Sequence, residues 1–234
     1  TLGADTTLTG TDLTFANSLI AGGNNISLSA DEIDLTGGAD SVSGTGSFIA
    51  AQGSNGTTIG VGTGAGQALD FDDTDVAALA DGFASLTFGD NNSGNIVVDG
   101  ASFADPVNVT SGADITVQTA ALDTSEGAIA LTADGAVTVN HSVDAITTTT
   151  ITADADNSGG EDITINAGAS GGNFVRGTTV TLSSGGSATD VTVSDDFDNT
   201  EGGITFDDAL NTITLVAGVT SVGDIDFGNN EVEL

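Results

Sequence analysis

The sequence predicts an all-β protein that folds as a parallel β-helix, a solenoid in which each coil of the chain stacks on the one before. Pairs of apolar residues with one intervening residue recur along all 234 residues. Matching pairs return roughly every 20–24 residues, which is the period of a solenoid coil. Gly, Asp and Asn, which favour turns, fill the corners between the pairs.

The repeat is clearest in the second half of the chain. Its steps are 22 residues for Val107 to Ile129 and for Ile129 to Ile151, 24 for Val180 to Ile204, and 21 for Ile204 to Ile225. Alternate side chains of a strand face opposite sides, so each pair lines an interior while the intervening residue meets water. An antiparallel sandwich would show the same alternation, but the hairpin signal Asn-Gly occurs only at residues 55–56.

The apolar pairs predict strands along the whole chain. In order they are Leu13/Phe15, Ile26/Leu28, Ile33/Leu35, Leu69/Phe71, Leu86/Phe88, Ile96/Val98, Val107/Val109, Ile115/Val117, Ile129/Leu131, Val137/Val139, Ile163/Ile165, Val180/Leu182, Val191/Val193, Ile204/Phe206, Ile213/Leu215, Ile225/Phe227 and Val232/Leu234. The one proline, Pro106, opens a strand, where its missing N–H is tolerated. No linker divides the chain, so we expect a single solenoid domain over residues 1–234.

One helical signal interrupts the strands, near residues 74–82. Thr74 or Asp73 can cap its first free N–H groups, and Asp75 suits the positive end of the helix dipole. Alanines follow, and Gly82 can end the helix. We expect the ring of Phe83, directly after this stop, to cover the apolar interior beneath the insert.

The stretch from Ile59 to Gly100 resembles a segment of very large bacterial surface exoproteins of the filamentous-haemagglutinin type. The matching residues are Ile59, Gly60, Gly62, Leu79, Asp81, Gly82, Phe83, Ser85, Leu86, Phe88 and Gly89. The resemblance covers about forty residues. It implies a right-handed β-helix and a role as a repeat segment of a secreted bacterial surface adhesin or extracellular fibre. It implies no catalytic residues.

The excess of acidic residues limits the kinds of molecule that the protein can bind. Asp and Glu number 34 against one Lys or Arg, so the formal charge is −33. Such a surface repels nucleic acid and anionic lipid and attracts cations. No apolar run approaches the ~20 residues of a membrane-spanning helix, so we expect no membrane insertion. Because 38% of the residues are hydrophobic, the chain does not fit the composition of a disordered protein.

The chain is expected to be a piece of a longer rod. It begins at Thr1, contains no Met, and ends in the middle of the repeat pattern, on the apolar pair Val232/Leu234. The expected partners are therefore neighbouring copies or flanking repeats of the same fibre. For an adhesin, host or biofilm surface glycans are further expected partners.

Calcium is the cofactor that the acidic corners suggest. Asp154, Asp156 and Ser158 place oxygen side chains at alternate positions before Gly159, as in the first half of an EF-hand loop. Ile165 stands where that loop needs a bidentate Glu. A second corner contains Asp196 and Asp198, and Asp90-Asn-Asn92 is a third. The alternative is that all three corners are solvated acidic turns.

A carbohydrate-active β-helix enzyme, a polysaccharide hydrolase or lyase, is the alternative function. Its candidate groups are the single Arg176, the single His141 and the adjacent acids Asp72-Asp73, Asp195-Asp196 and Asp207-Asp208. Glycoside hydrolysis needs two carboxyl groups across a sugar, but strand neighbours face opposite sides. Trp and Tyr, which commonly form sugar platforms, are absent. We therefore expect no enzymatic activity, an ion pair for Arg176 and a surface corner for His141.

Overall fold

The structure is a computed structural model that describes residues 1–63, 66–166, 174–186, 189–195, 197–207 and 209–234, with the backbone alone at residue 198. Every strand pair in this part of the chain is parallel, and ten coils stack along one axis. The predicted parallel β-helix is confirmed, and the antiparallel sandwich is excluded. The interior is one continuous hydrophobic cluster that runs through the stack.

The longest sheet contains one strand from each of the ten coils. Its strands in stacking order are β1 (Thr6–Thr9), β4 (Ile26–Ala30), β7 (Ser47–Gln52), β10 (Ser85–Phe88), β13 (Val107–Ser111), β16 (Ile129–Ala133), β19 (Thr148–Ala153), β22 (Thr179–Ser184), β25 (Gly203–Phe206) and β28 (Ile225–Asp226). Outward residues in these strands form a vertical column, with members that include Ser27, Thr87, Thr150 and Thr205.

The second sheet contains nine strands. In stacking order they are β9 (Leu69–Phe71), β8 (Ile59–Val61), β11 (Ile96–Val98), β14 (Ile115–Val117), β17 (Val137–Val139), β20 (Ile163–Ile165), β23 (Val191–Val193), β26 (Thr212–Leu215) and β29 (Glu231–Glu233). Buried and half-buried residues alternate through most of it, as expected for strands with one face on the core.

Ten shorter strands complete the coils. Four of them form one sheet, and six form two-stranded pairs. They are β12 (Ala101–Phe103), β15 (Leu122–Thr124), β18 (Val143–Asp144) and β21 (Val175–Arg176), with the pairs β2 (Asp12–Thr14) and β5 (Glu32–Asp34), β3 (Leu19–Gly22) and β6 (Val42–Gly44), and β24 (Phe197–Asn199) and β27 (Val219–Ser221).

The predicted register is correct at three of its four steps. Val107 pairs with Ile129, Val180 with Ile204, and Ile204 with Ile225. The remaining step is wrong, because Ile151 pairs with Leu131 and Ile129 pairs with Thr149. Thr149 is fully buried and its hydroxyl donates to the Arg176 carbonyl at 2.7 Å, so a polar residue occupies an interior position that an apolar pattern does not predict.

The insert is confirmed as a short helix, α1 (Asp73–Ala78), but its predicted ends are wrong. Asp72 is the N-cap, and its Oδ1 accepts from the Thr74 and Asp75 amides at 2.7 and 3.2 Å. The helix ends at Ala78, well before Gly82, because the extended C-cap residue Leu79 rejoins the stack opposite Val42. Ala80 donates its N–H to the Val42 carbonyl at 2.9 Å, which returns the backbone to an extended path.

Strand β9 departs from the regular order of the coils. It pairs with β8 only ten positions earlier in the chain, since Val61 lies opposite Phe71. It lies on the side of β8 that faces the beginning of the stack, against β5. The chain thus turns back by one coil before it enters α1.

Phenylalanine rings fill the interior where β9 and α1 interrupt the regular coils. Phe88 is fully buried, and its ring centroid lies 5.2 Å from that of Phe71 and 5.4 Å from that of Phe103. Phe83 is 3% exposed and lies 5.8 Å from Phe48. The predicted burial of the Phe83 ring in the apolar interior is confirmed.

Asx side chains tie one coil to the next at the corner before the second sheet. Asp114 Oδ1 accepts from the Ala136 amide of the following coil at 3.0 Å. Asp162 and Asp190 repeat this contact with the amides of Asp190 and Thr212, at 3.0 and 3.1 Å. Each carboxylate therefore satisfies a backbone donor that the turn would otherwise leave without a partner.

Candidate functional site

The turn after β19 contains the acids for which the sequence predicts calcium. Asp154 and Asn157 have φ angles of 50° and 57°, in the left-handed region that Asp and Asn tolerate better than most residues. This conformation folds the turn back on itself, so that the Asn157 amide donates to the Asp154 carbonyl at 3.0 Å. Asp154 itself is fully buried, which is rare for a carboxylate without an ionic partner.

The two carboxylate oxygens of Asp154 have different surroundings. Oδ1 accepts from the Gly159 amide at 2.8 Å. Oδ2 is buried and has no hydrogen-bond partner in the described part of the chain. It faces Gly186 of the next coil, and so does the side-chain oxygen of Asn157, because a methyl group at Gly186 would clash with both oxygens. A carboxylate oxygen and an amide oxygen thus converge beside a glycine.

Asp156 lies in the same turn but is exposed. One of its carboxylate oxygens accepts from the Ser158 amide at 3.0 Å. Burial and, second, the charge of Asp156 raise the pKa of Asp134 in the coil below. The two predicted ligands therefore have different positions. Asp154 is buried, whereas Asp156 lies on the surface and adds negative potential near the turn.

The other predicted corners differ from this one. Asp196 and the side chain of Asp198 lie outside the described residues. At the third corner, Asp90 Oδ1 accepts from the Gln52 side-chain amide at 2.6 Å and from the Asn92 backbone amide at 2.7 Å. Within the described ranges no three His, Cys, Asp or Glu side chains converge on a metal position, so a cation at Asp154 would need amide, carbonyl and water ligands as well.

The candidate catalytic residues take largely structural positions. Arg176 forms the expected ion pair, with Nε and Nη2 donating to the two Asp144 oxygens at 3.0 and 2.7 Å. Its guanidinium lies 3.4 Å from the centre of the Phe174 ring. A surface hollow of about 190 Å³ beside it is lined in part by Glu201. His141 lies half-buried in the corner after β17.

Among the described residues, the adjacent aspartates are not arranged as a pair of catalytic carboxyl groups. Asp72 caps α1, and Asp73 accepts a hydrogen bond from the Thr63 hydroxyl. Asp196 and Asp208 lie outside the described residues, so their pairs are incomplete here. Asp207 and Asp226 line a hollow of about 310 Å³ near the last coil, together with Thr181, Thr205, Phe206 and Gly228.

Sequence reasoning missed a group of buried acids around α1. Asp75 is 4% exposed; its Oδ1 accepts from the Leu35 amide at 2.6 Å and its Oδ2 from the Asp72 amide at 3.2 Å. Burial raises its pKa to about 6. Leu35 precedes Asp75 by 40 residues, so no local pattern signals this contact.

Asp105 and Asp70 share the same cause of perturbation. Asp105 is buried and accepts from the amides of Gly82 and Phe83 at 3.0 and 3.1 Å. Burial raises its pKa even though these two hydrogen bonds act in the opposite direction. Burial and the charge of Asp72 raise the pKa of Asp70. These carboxylates anchor backbone amides, and folding therefore places negative charge in poorly solvated positions.

The terminal coils differ from the middle of the rod. In the described structure, β1 pairs only with β4, and β28 only with β25. Their interior residues are only partly buried, as shown by Leu8 at one end and Ile225 at the other. Val232, which lies opposite the buried Ile213, is 38% exposed. Each end thus presents open strand edges around a partly exposed apolar centre.

The described part of the chain has no helix long and apolar enough to cross a membrane. Comparisons of the chain with models of protein families, with curated proteins and with solved structures find no match. The resemblance to filamentous-haemagglutinin-type exoproteins therefore stays a prediction from the residues between Ile59 and Gly100.

Proposed function

We propose that this chain is a structural segment of a secreted bacterial surface adhesin or extracellular fibre. The observation that carries the proposal is the sheet of ten parallel strands with open edges at both ends. A stack of coils of this kind grows by about 4.8 Å for each strand added. Repetition of the coil therefore builds an elongated rod, as a fibre requires. The resemblance of residues 59–100 to surface exoproteins supports the extracellular location.

The proposed partners at the ends are further coils, either flanking repeats of the same fibre or neighbouring copies. A strand edge offers unpaired N–H and C=O groups that accept another strand. The apolar centre of each end is partly exposed and would be buried by such a coil. Host or biofilm glycans are the proposed partners of the sides, where hydroxyl and carboxylate side chains dominate the outward columns.

End-to-end contact predicts that particle length depends on protein concentration. We expect small-angle scattering and electron microscopy to show rods that lengthen in multiples of one copy as concentration rises. Val232→Lys should shorten them, because it places a charge on the apolar end face. Glu231→Lys is the control, since its side chain lies outward on the same strand. Compact monomers at every concentration, or equal effects of the two lysines, would contradict this proposal.

The carbohydrate-active enzyme needs groove-facing aspartates near Arg176. The described aspartate at Arg176 is Asp144, and both its oxygens are paired with the guanidinium. We therefore propose no enzymatic activity. Turnover of a polyuronate by the purified protein, abolished by Asp144→Asn, would favour the enzyme instead.

A further inference from the structure

We propose that the turn formed by residues 154–159 binds one calcium ion between the side-chain oxygens of Asp154 and Asn157. This inference is independent of the fibre function, since a solenoid with any role could use such an ion. Its basis is the buried Oδ2 atom of Asp154, which has no hydrogen-bond partner among the described residues. A buried carboxylate oxygen without a partner is costly, and a bound cation would remove that cost.

The arrangement of the neighbouring atoms favours a cation. The side-chain oxygen of Asn157 faces the same position beside Gly186 as Asp154 Oδ2 does. Two acceptors that point at one place are matched by a positive charge or by a donor between them. The lack of a side chain at Gly186 lets both oxygens lie close to its backbone, because a Cβ there would overlap them.

The chemistry of the ligands selects calcium among the common cations. Carboxylate, side-chain amide and carbonyl oxygens are the ligands of Ca²⁺, which accepts irregular geometry and completes its shell with water. The Asp154 and Ala155 carbonyls lie at the adjacent Gly185. Mg²⁺ requires a near-octahedral shell at shorter distances, which an Asp and an Asn on one tight turn are poorly placed to supply. Exposed Asp156 adds attraction without being needed as a ligand.

The site is expected to be weak. One buried carboxylate supplies the direct charge, and calcium sites with few charged ligands have dissociation constants on the order of 10⁻⁴–10⁻³ M. The rod carries a net charge of −33 and also attracts diffuse counterions. A test must therefore separate one specific ion from this atmosphere, which matched substitutions can do because each removes the same charge.

The experiment is calorimetric titration of the chelator-treated full chain with calcium chloride in physiological salt. Asp154→Asn and Asp90→Asn each remove one negative charge at a corner, but only the first alters the proposed site. Gly186→Ala keeps every charge and places a methyl group against both oxygens. We expect one calcium ion for the wild type and for Asp90→Asn, and affinity reduced about tenfold or more by Asp154→Asn and by Gly186→Ala.

Thermal melting provides a second readout that does not depend on heat of binding. Calcium should raise the midpoint for the wild type more than an equal concentration of magnesium does. In chelator, Asp154→Asn should melt no lower than the wild type, because its new amide N–H can donate to Asn157. Equal calcium responses in Asp154→Asn and Asp90→Asn, or none in the wild type, would overturn the proposal and leave only diffuse counterions.

Discussion

Replacing Phe88 with alanine should lower the free energy of unfolding by about 4 kcal/mol, within the ~3–5 kcal/mol that Phe-to-Ala core substitutions cost. The side chain is fully buried and contacts the ring of Phe103 in its own coil and the ring of Phe71 on the returning strand β9. Its removal leaves a cavity where the returning strand β9 has already interrupted the regular stack. Denaturant unfolding followed by circular dichroism would measure the change.

Phe227→Ala is the matched control for this substitution. Phe227 stacks on Phe206 with ring centroids 5.0 Å apart, but it lies near the last coil and is only partly buried. It should therefore lose less than half as much stability as Phe88→Ala. Equal losses for the two variants would contradict the assignment of Phe88 to a continuous central core.

The protein should become more stable as pH falls from 7 to about 4. Burial raises the pKa of Asp75 from 3.8 to about 6, so the folded state holds this proton more tightly than the unfolded state. Protonation therefore stabilises the fold as pH falls through 6, and the gain is complete below about 3.8. Two pKa units correspond to about 3 kcal/mol. The raised pKa values of Glu32, Asp70, Asp105 and Asp134 act in the same direction.

Asp75→Asn isolates the largest part of this pH dependence. Asparagine keeps an acceptor for the Leu35 amide but does not titrate, so the gain in stability on acidification should shrink by about 3 kcal/mol. Asp40→Asn is a control at an exposed carboxylate and should leave the slope nearly unchanged. A wild-type protein whose stability falls between pH 7 and pH 5 would contradict the assignment of buried, unfavourable carboxylates.

The repeat was predictable from the sequence because a solenoid places chemically similar residues in one column. Val107, Ile129 and their equivalents reveal the coil directly. Features that cross between coils were not predictable. Thr149 occupies an interior position in an apolar column because its hydroxyl donates a hydrogen bond to a backbone carbonyl. Strand β9 has an ordinary strand pattern in the sequence, yet it turns back to pair with β8.

The candidate site was predictable only in part, because contacts between coils leave no signal in the local sequence pattern. The alternation of Asp154 and Asp156 indicated an oxygen-rich turn, but the sequence could not show which acid is buried. Burial of Asp154 depends on the close approach of Gly186, 32 residues later in the next coil. The contact of Asp75 with Leu35 likewise depends on stacking. Local patterns locate the turns, whereas the stacking of coils determines their electrostatics.

Distances between spin labels along one outward column would test the solenoid most directly. The chain has no cysteine, so pairs can be introduced at Ser27 and Thr150 and at Ser27 and Thr205. These positions lie five and seven strands apart in the longest sheet. At about 4.8 Å per strand, the two backbone separations should be roughly 24 and 34 Å. Narrow distributions that increase by this step would support a continuous parallel stack, whereas equal, shorter or broadly spread distances would contradict it.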